Sequence, residues 1–191
     1  MANKTVRKEI VFNSWYDILF LLSVNLNQAI KCCAIVEAFD VLKVRGCRLV
    51  DNILAEEMIN CTFRDLLIST CRIFDETKNS KCNVKKLKEC INKDSIISKE
   101  EKRRIIDKLK QLQKEYDNLY KNDRDRRLAH SNYEYILLNN ESGYEYKQIR
   151  DFIVRTSEVF KYIMSINNDS IPILNIQDLK TEYLSFVGSG I

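Results

Sequence analysis

Four glycines and one proline in 191 residues constrain this chain more than any other feature. Sandwiches and barrels depend on many tight turns, and glycine and proline are the usual turn formers. A chain so poor in both is expected to be mostly helical. Its length suits one domain. Apolar residues make up 45% of it and charged ones 30%, enough for a real core and too apolar for a disordered chain.

The apolar pattern supports helices along most of the length. Glu9 to Lys43 is densely apolar, without proline or glycine, and reads as one long helix or two meeting end to end. Gly46 offers a break. Leu49 to Thr77 reads as a second helix, with a stripe through Ile59, Phe63, Leu67, Thr70 and Phe74. A short helix is expected from Val84 to Asn92, capped by Asn83. Ser98-Lys99-Glu100-Glu101 fits a capping box. The helix it opens places Ile105, Leu109, Leu112, Tyr116 and Leu119 on one seam and is expected to run to about Lys121. Residues 133–146 read as a small hairpin or an irregular loop. A last long helix is expected from Tyr146 to Ile166, stopped by the polar run into Pro172. The tail to Ile191 either docks as one short helix or frays. The sum is an all-α bundle of about four long helices with short additions.

Seven cysteines, Cys32, Cys33, Cys47, Cys61, Cys71, Cys82 and Cys90, all precede residue 91. An odd count among apolar neighbours reads as reduced core thiols in the cytoplasm rather than a disulfide framework. With one histidine and no C-x-x-C pair, no metal site is expected, and no cofactor. Lys4, Arg7 and Lys8 before Ile18–Leu22 imitate a signal peptide, but Asp17 abuts the run and no small-residue cleavage site follows. Only 13 residues, Ile18 to Ile30, lack charge, too few to span a bilayer. The expectation is a cytoplasmic protein without a membrane segment.

The net charge of +4 permits a nucleic-acid partner without requiring one. Lys99 to Arg127 holds 11 basic and seven acidic residues, a surplus equal to that of the whole chain. Such a run is either a solvated face with internal ion pairs or a landing strip for phosphates. Its end is sharper: Asn122-Asp123-Arg124-Asp125-Arg126-Arg127-Leu128-Ala129-His130 contains the only histidine. Histidine both takes and gives a proton near neutrality, and arginine grips phosphate with paired donors. Together they are the minimum for cleaving RNA without metal. Asn122 or Asp123 could cap a new helix here, which would set the arginines unfavourably against its N-terminus. In a regular helix Arg124 and His130 stand about 120° apart, whereas Arg126 and Arg127 face His130 better. The plain alternative for His130 is a half-buried, hydrogen-bonded residue near a helix end.

Arg124-Asp125-Arg126-Arg127-Leu128-Ala129-His130 resembles the R-x(4–6)-H motif of the HEPN superfamily. The form R-D-x-x-L-A-H, with Cys71-Arg72-Ile73-Phe74-Asp75 ending the preceding long helix, resembles its AbiU-like abortive-infection branch. The resemblance covers a helical core from about residue 10 to 166, with 167–191 as a C-terminal tail of the same single domain. It implies an up-and-down bundle that forms a homodimer, with two motifs facing one groove. Catalytic members are metal-independent endoribonucleases of toxin–antitoxin and phage-defence systems that leave a 2′,3′-cyclic phosphate. By carry-over, Arg124 binds or polarises phosphate, His130 acts as acid or base, and Asp125 orients one of them. Arg126, Arg127 and Tyr133 are then substrate-binding candidates. Some family toxins carry a tyrosine two residues after the histidine; here Asn132 holds that place and Tyr133 follows. Partners implied are RNA, a second copy, and an antitoxin or defence-system protein. Other superfamily members are non-catalytic modules that bind RNA, a nucleotide or a protein, which is the alternative function. Arg72 and Asp75 read as an ion pair or helix-end capping pair.

Overall fold

The structure, a computed structural model, describes residues 14–46, 53–76, 82–127, 146–166 and 171–188, with the backbone alone over 120–127. Among these residues there are six helices and no strand: α1 (Trp15–Val44), α2 (Ile53–Phe74), α3 (Val84–Lys93), α4 (Lys99–Arg127), α5 (Tyr146–Ser165) and α6 (Ile176–Gly188). The all-α class follows directly.

α1 is one unbroken helix of 30 residues. A capping box opens it: the Ser14 hydroxyl accepts from the Asp17 N–H at 3.1 Å, and Ser14 N–H donates back to Asp17 Oδ2 at 3.3 Å. Gly46 follows its last turn with φ of +69°, a left-handed conformation that costs glycine little. Between these ends α1 is the hub, packing against α2, α3, α5 and α6. Leu19, Leu22, Leu26, Ala29 and Cys33 are fully buried along it, as expected of a helix covered on several sides. At 30 residues α1 is long and apolar enough to cross a bilayer, more than its 13-residue uncharged stretch implies. Of its most apolar stretch, 56% is buried inside the protein, as in a core helix.

α2 leads the chain back. Cys82 Sγ lies 3.6 Å from the Ile18 carbonyl, and the Trp15 indole N–H donates to Asp94 Oδ2 at 2.9 Å. Asn83 caps α3, its Oδ1 accepting from Lys86 N–H at 2.9 Å. Asp94 fastens the α3–α4 turn: its Oδ1 takes the N–H groups of Ile96 and Ile97 at 2.7 and 3.0 Å. Those bonds, the Ile97 N–H first, hold its carboxyl below the usual range. Ser98 Oγ accepts from Glu101 N–H at 3.2 Å to open α4. α5 runs antiparallel to α4, with the Tyr162 hydroxyl on Glu101 near one end and Arg155 on Glu115 further along.

The seam read from the sequence is the core of α4: Ile105, Leu109, Leu112 and Tyr116 are buried, and Leu119 packs against the cluster. Phe74 joins three helices. Its ring stacks on Tyr116 at 5.2 Å between centroids and tilts against Phe152 at 5.1 Å.

Two expectations change, and one open alternative is decided. α4 does not stop near Lys121, and no new helix starts at Asn122 or Asp123; the backbone is continuously helical through Arg127. No proline or glycine interrupts 122–127, so the helix already running outcompetes a fresh start. The tail docks: α6, capped by Asn175 Oδ1 on Gln177 N–H at 2.7 Å, packs against α1, and Ile171 and Ile176 are buried. Of the cysteines, Cys32, Cys33 and Cys71 are buried as expected, but Cys61 is exposed. Burial pushes the Cys32 thiol up to about 11 and the Cys33 thiol up to about 12, so both stay neutral.

Candidate functional site

The motif arginines lie on the last two turns of α4. Continuity of α4 removes the conflict raised by a helix starting at Asn122: Arg124, Arg126 and Arg127 sit some 25 residues from its N-terminus at Lys99, out of reach of that dipole end. The α4–α5 pairing sets where this end lies. From Glu115 to Arg124 is nine residues along α4, and from Arg155 back to Tyr146 is nine along α5. Each is a rise of about 14 Å, so the motif and the start of α5 occupy the same end of the bundle.

That end holds a polar cluster no local pattern announces. The Glu37 carboxylate, mostly buried, accepts from Arg150 Nε at 2.5 Å, Lys180 Nζ at 3.4 Å and the Tyr146 hydroxyl at 3.4 Å. Tyr146 also donates to the Cys33 carbonyl at 2.9 Å. Burial pushes the Tyr146 phenol well up, and the hydrogen bond to Glu37 raises the Arg150 guanidinium. The Tyr146 phenol and the Arg150 guanidinium therefore both keep their protons across the neutral range. It ties α1, α5 and α6 together at the level where α4 presents its arginines. The partners of Glu37 lie more than 100 residues away in sequence, so sequence reasoning had no signal for them.

The charge run of α4 divides along its length. Its first turns are internally paired: Arg104 meets Glu100 at 2.5 Å and Glu101 at 3.9 Å, and Arg103 meets Asp107 at 3.9 Å. Lys108 lies over the Tyr162 ring at 5.1 Å. Lys110 and Lys114 are exposed and make no ion pair among the described residues. The solvated-face reading thus fits the first half of α4, and the exposed Lys110 and Lys114 follow it, with the exposed Asp117 one turn further on.

The structure gathers Arg124, Asp125, Arg126 and Arg127 on one helical run. His130 and Tyr133 lie outside the described residues. Of the ion-pair or helix-end capping reading of Arg72 and Asp75, the structure describes the helix end. Asp75 ends α2 through its backbone, its N–H donating to Cys71 O at 2.8 Å and its carbonyl accepting from Asn83 at 2.9 Å. Arg72 turns outward into a groove between α1 and α2. The run Cys71–Asp75 is chiefly a packing signature: Cys71, Ile73 and Phe74 are buried. Among the described residues no three histidine, cysteine or acidic side chains are grouped to hold a metal ion.

An all-α bundle with an arginine-rich helix end three residues before a lone histidine defines a class, and comparison with family models agrees. The chain belongs to the HEPN family AbiU2, whose model matches residues 54–183. It is thus a HEPN module of the abortive-infection type. The match begins one residue into α2 and ends within α6, so it includes the first part of the docked tail and leaves out α1. No curated protein and no solved structure matches the chain.

Proposed function

We propose that this protein is a metal-independent endoribonuclease of a phage-defence or toxin–antitoxin system, cleaving RNA at Arg124 and His130. The observation that carries the reading is the run of arginines on the unbroken end of α4, beyond the exposed Lys110 and Lys114, in a chain of the HEPN AbiU2 family. RNA approaches the basic residues of α4 by its phosphates. Arg124 takes the scissile phosphate with two donors and stabilises charge as the pentavalent state forms. His130 removes the 2′-hydroxyl proton or protonates the leaving oxygen, Asp125 orients the pair, and Arg126, Arg127 and Tyr133 hold the flanking RNA. The setting is the cytoplasm, with an antitoxin or defence-system protein as the regulating partner.

Charge-matched substitution tests the reading. An ammonium cannot reproduce the guanidinium fork, so Arg124→Lys should lose at least ~10-fold of cleavage with its charge intact. Arg104→Ala, which removes an ion-paired cation near the start of α4, should keep activity near wild type. Equal loss in both would mean generic attraction of RNA to α4, not a chemical site.

One arginine and one histidine make a thin site for phosphodiester cleavage, and a two-fold axis doubles it. The proposed active form is a homodimer with the 122–133 segments near the axis. Light scattering at micromolar concentration should give twice the chain mass; a monomer would remove the shared groove.

A further inference from the structure

A polar groove follows the seam between α1 and α2 and encloses about 560 Å³. Three charged side chains line it: Lys31 from α1, and Asp65 and Arg72 from α2. Lys31 and Asp65 share one end. Burial first and the Asp65 charge second push up the thiol of Cys32, the residue after Lys31, so Asp65 faces that turn of α1. Arg72 stands seven residues further along α2, about 10 Å from Asp65. Val24, Ile68 and Leu174 supply apolar wall. Asn27 fixes Leu174 there: its Nδ2 donates to Pro172 O at 2.9 Å and its Oδ1 accepts from Leu174 N–H at 3.0 Å.

The lining is unusual in what it leaves unused. All three charges are exposed, and none makes an ion pair among the described residues. Lys31 and Asp65 carry opposite charges at the same end of the groove, yet they do not meet. Gln28, one turn before Lys31, points its amide at Cys32 Sγ at 3.9 Å and keeps its carbonyl oxygen for another partner. One end of the groove therefore offers a cation beside an anion, and the other offers a lone guanidinium. The complement is a molecule with an ammonium and a carboxylate together at one end and a second carboxylate about 10 Å away. Its net charge of −1 matches the +1 of the three side chains.

We propose that this groove binds a γ-glutamyl tripeptide, its α-amino acid head between Asp65 and Lys31 and its C-terminal carboxylate on Arg72. Linkage through the side-chain carboxyl is what leaves an α-ammonium and an α-carboxylate side by side. The ammonium donates to Asp65, and the α-carboxylate accepts from the Lys31 ammonium. Three extended residues span about 10 Å, which carries the last carboxylate to Arg72. A guanidinium takes that carboxylate with two parallel donors. Gln28 both donates and accepts, as the peptide groups between the two ends require. Val24, Ile68 and Leu174 receive the middle side chain. The inference stands apart from the RNA-cleavage reading, since none of these residues belongs to α4.

Isothermal titration of the full chain with S-methylglutathione tests it. The methyl group keeps the peptide from forming a disulfide with the exposed Cys61. Saturable binding is expected, and two blocked forms read its ends. Esterifying the glycine carboxylate should weaken binding at least ~10-fold in the wild-type chain and change nothing in Arg72→Gln. Acetylating the amino group should weaken it as much and change nothing in Asp65→Asn. Triglycine has the ammonium and the distal carboxylate but no carboxylate beside the ammonium. It should bind at least ~10-fold more weakly than S-methylglutathione, a gap that Lys31→Gln closes. All three positions are exposed, so these variants should fold, and Arg104→Gln serves as the unaffected control. Absence of saturable binding would overturn the assignment. So would an ester or an acetylated form that binds the wild-type chain as well as the parent, or triglycine that equals it. GMP binding as tightly with the same Arg72 dependence would also overturn it, by making the groove a general anion site. Cleavage is not read in any arm, so failure here leaves the Arg124/His130 reading untouched.

Discussion

Replacing His130 with alanine is expected to lower RNA cleavage by about 10²–10⁴-fold, the range for removing a positioned acid or base, with the melting temperature nearly unchanged. The magnitude follows from the chemistry. The 2′-hydroxyl is a poor nucleophile until its proton is taken, and the leaving oxygen is a poor leaving group until it receives one. Histidine, with an ordinary pKa near 6.5, performs either transfer at neutral pH, and the chain holds no second histidine to substitute. A purely structural histidine would give the opposite pattern: a lower melting temperature and unchanged cleavage per folded molecule. The comparison is read from cleavage rate and thermal unfolding of the same preparation.

The second large effect is on stability. Phe74→Ala should destabilise the fold by about 3–5 kcal/mol, seen as a lower midpoint in chemical denaturation. Phe74 is fully buried at the end of α2 and contacts Tyr116 of α4 and Phe152 of α5. Truncation removes the ring from both partners at once and leaves a void in a layer close-packed on three sides. For a chain of this size that corresponds to a fall of roughly 10 °C. A change below about 1 kcal/mol would mean the junction can collapse around the missing ring. Arg72→Ala, two residues earlier in the chain but exposed, should leave stability within about 0.5 kcal/mol. That pair separates the two roles in the Cys71–Asp75 run: anchoring the bundle and lining the groove.

What the sequence made legible divides by range. Local signals were reliable: Asn83 and Ser98 accept from the backbone N–H groups three residues on, as their positions require, and Gly46 takes the left-handed turn. The period of 3.6 also found the core, since Ile105 through Tyr116 and Ile149 through Ile163 are the buried faces of α4 and α5. Competition between neighbouring signals was not legible. Asn122 and Asp123 are good caps, but a cap acts only where the preceding helix has ended, and α4 had not. Asn175 carried an equally good cap for α6 among scattered apolar residues, and only packing on α1 decides that the tail docks. Long-range pairing was invisible. Glu37 meets Arg150 and Lys180 because packing brings distant segments together. The candidate site follows the same division: Arg124 to Arg127 and His130 read as a local string, whereas the Glu37 cluster needed the fold.

The most direct measurement is strand scission of bulk RNA by the purified chain in excess EDTA, with the new ends characterised chemically. The motif uses a proton-transfer group and a phosphate clamp and asks nothing of a metal. The account predicts that cleavage proceeds undiminished in chelator and leaves 2′,3′-cyclic phosphate and 5′-hydroxyl ends, because the 2′-oxygen is the nucleophile. Cleavage that vanishes with EDTA, returns with magnesium and leaves a 5′-phosphate would show water as the nucleophile and carboxylates such as Asp123 and Asp125 as metal ligands. That result would contradict the assignment of the chemistry to Arg124 and His130.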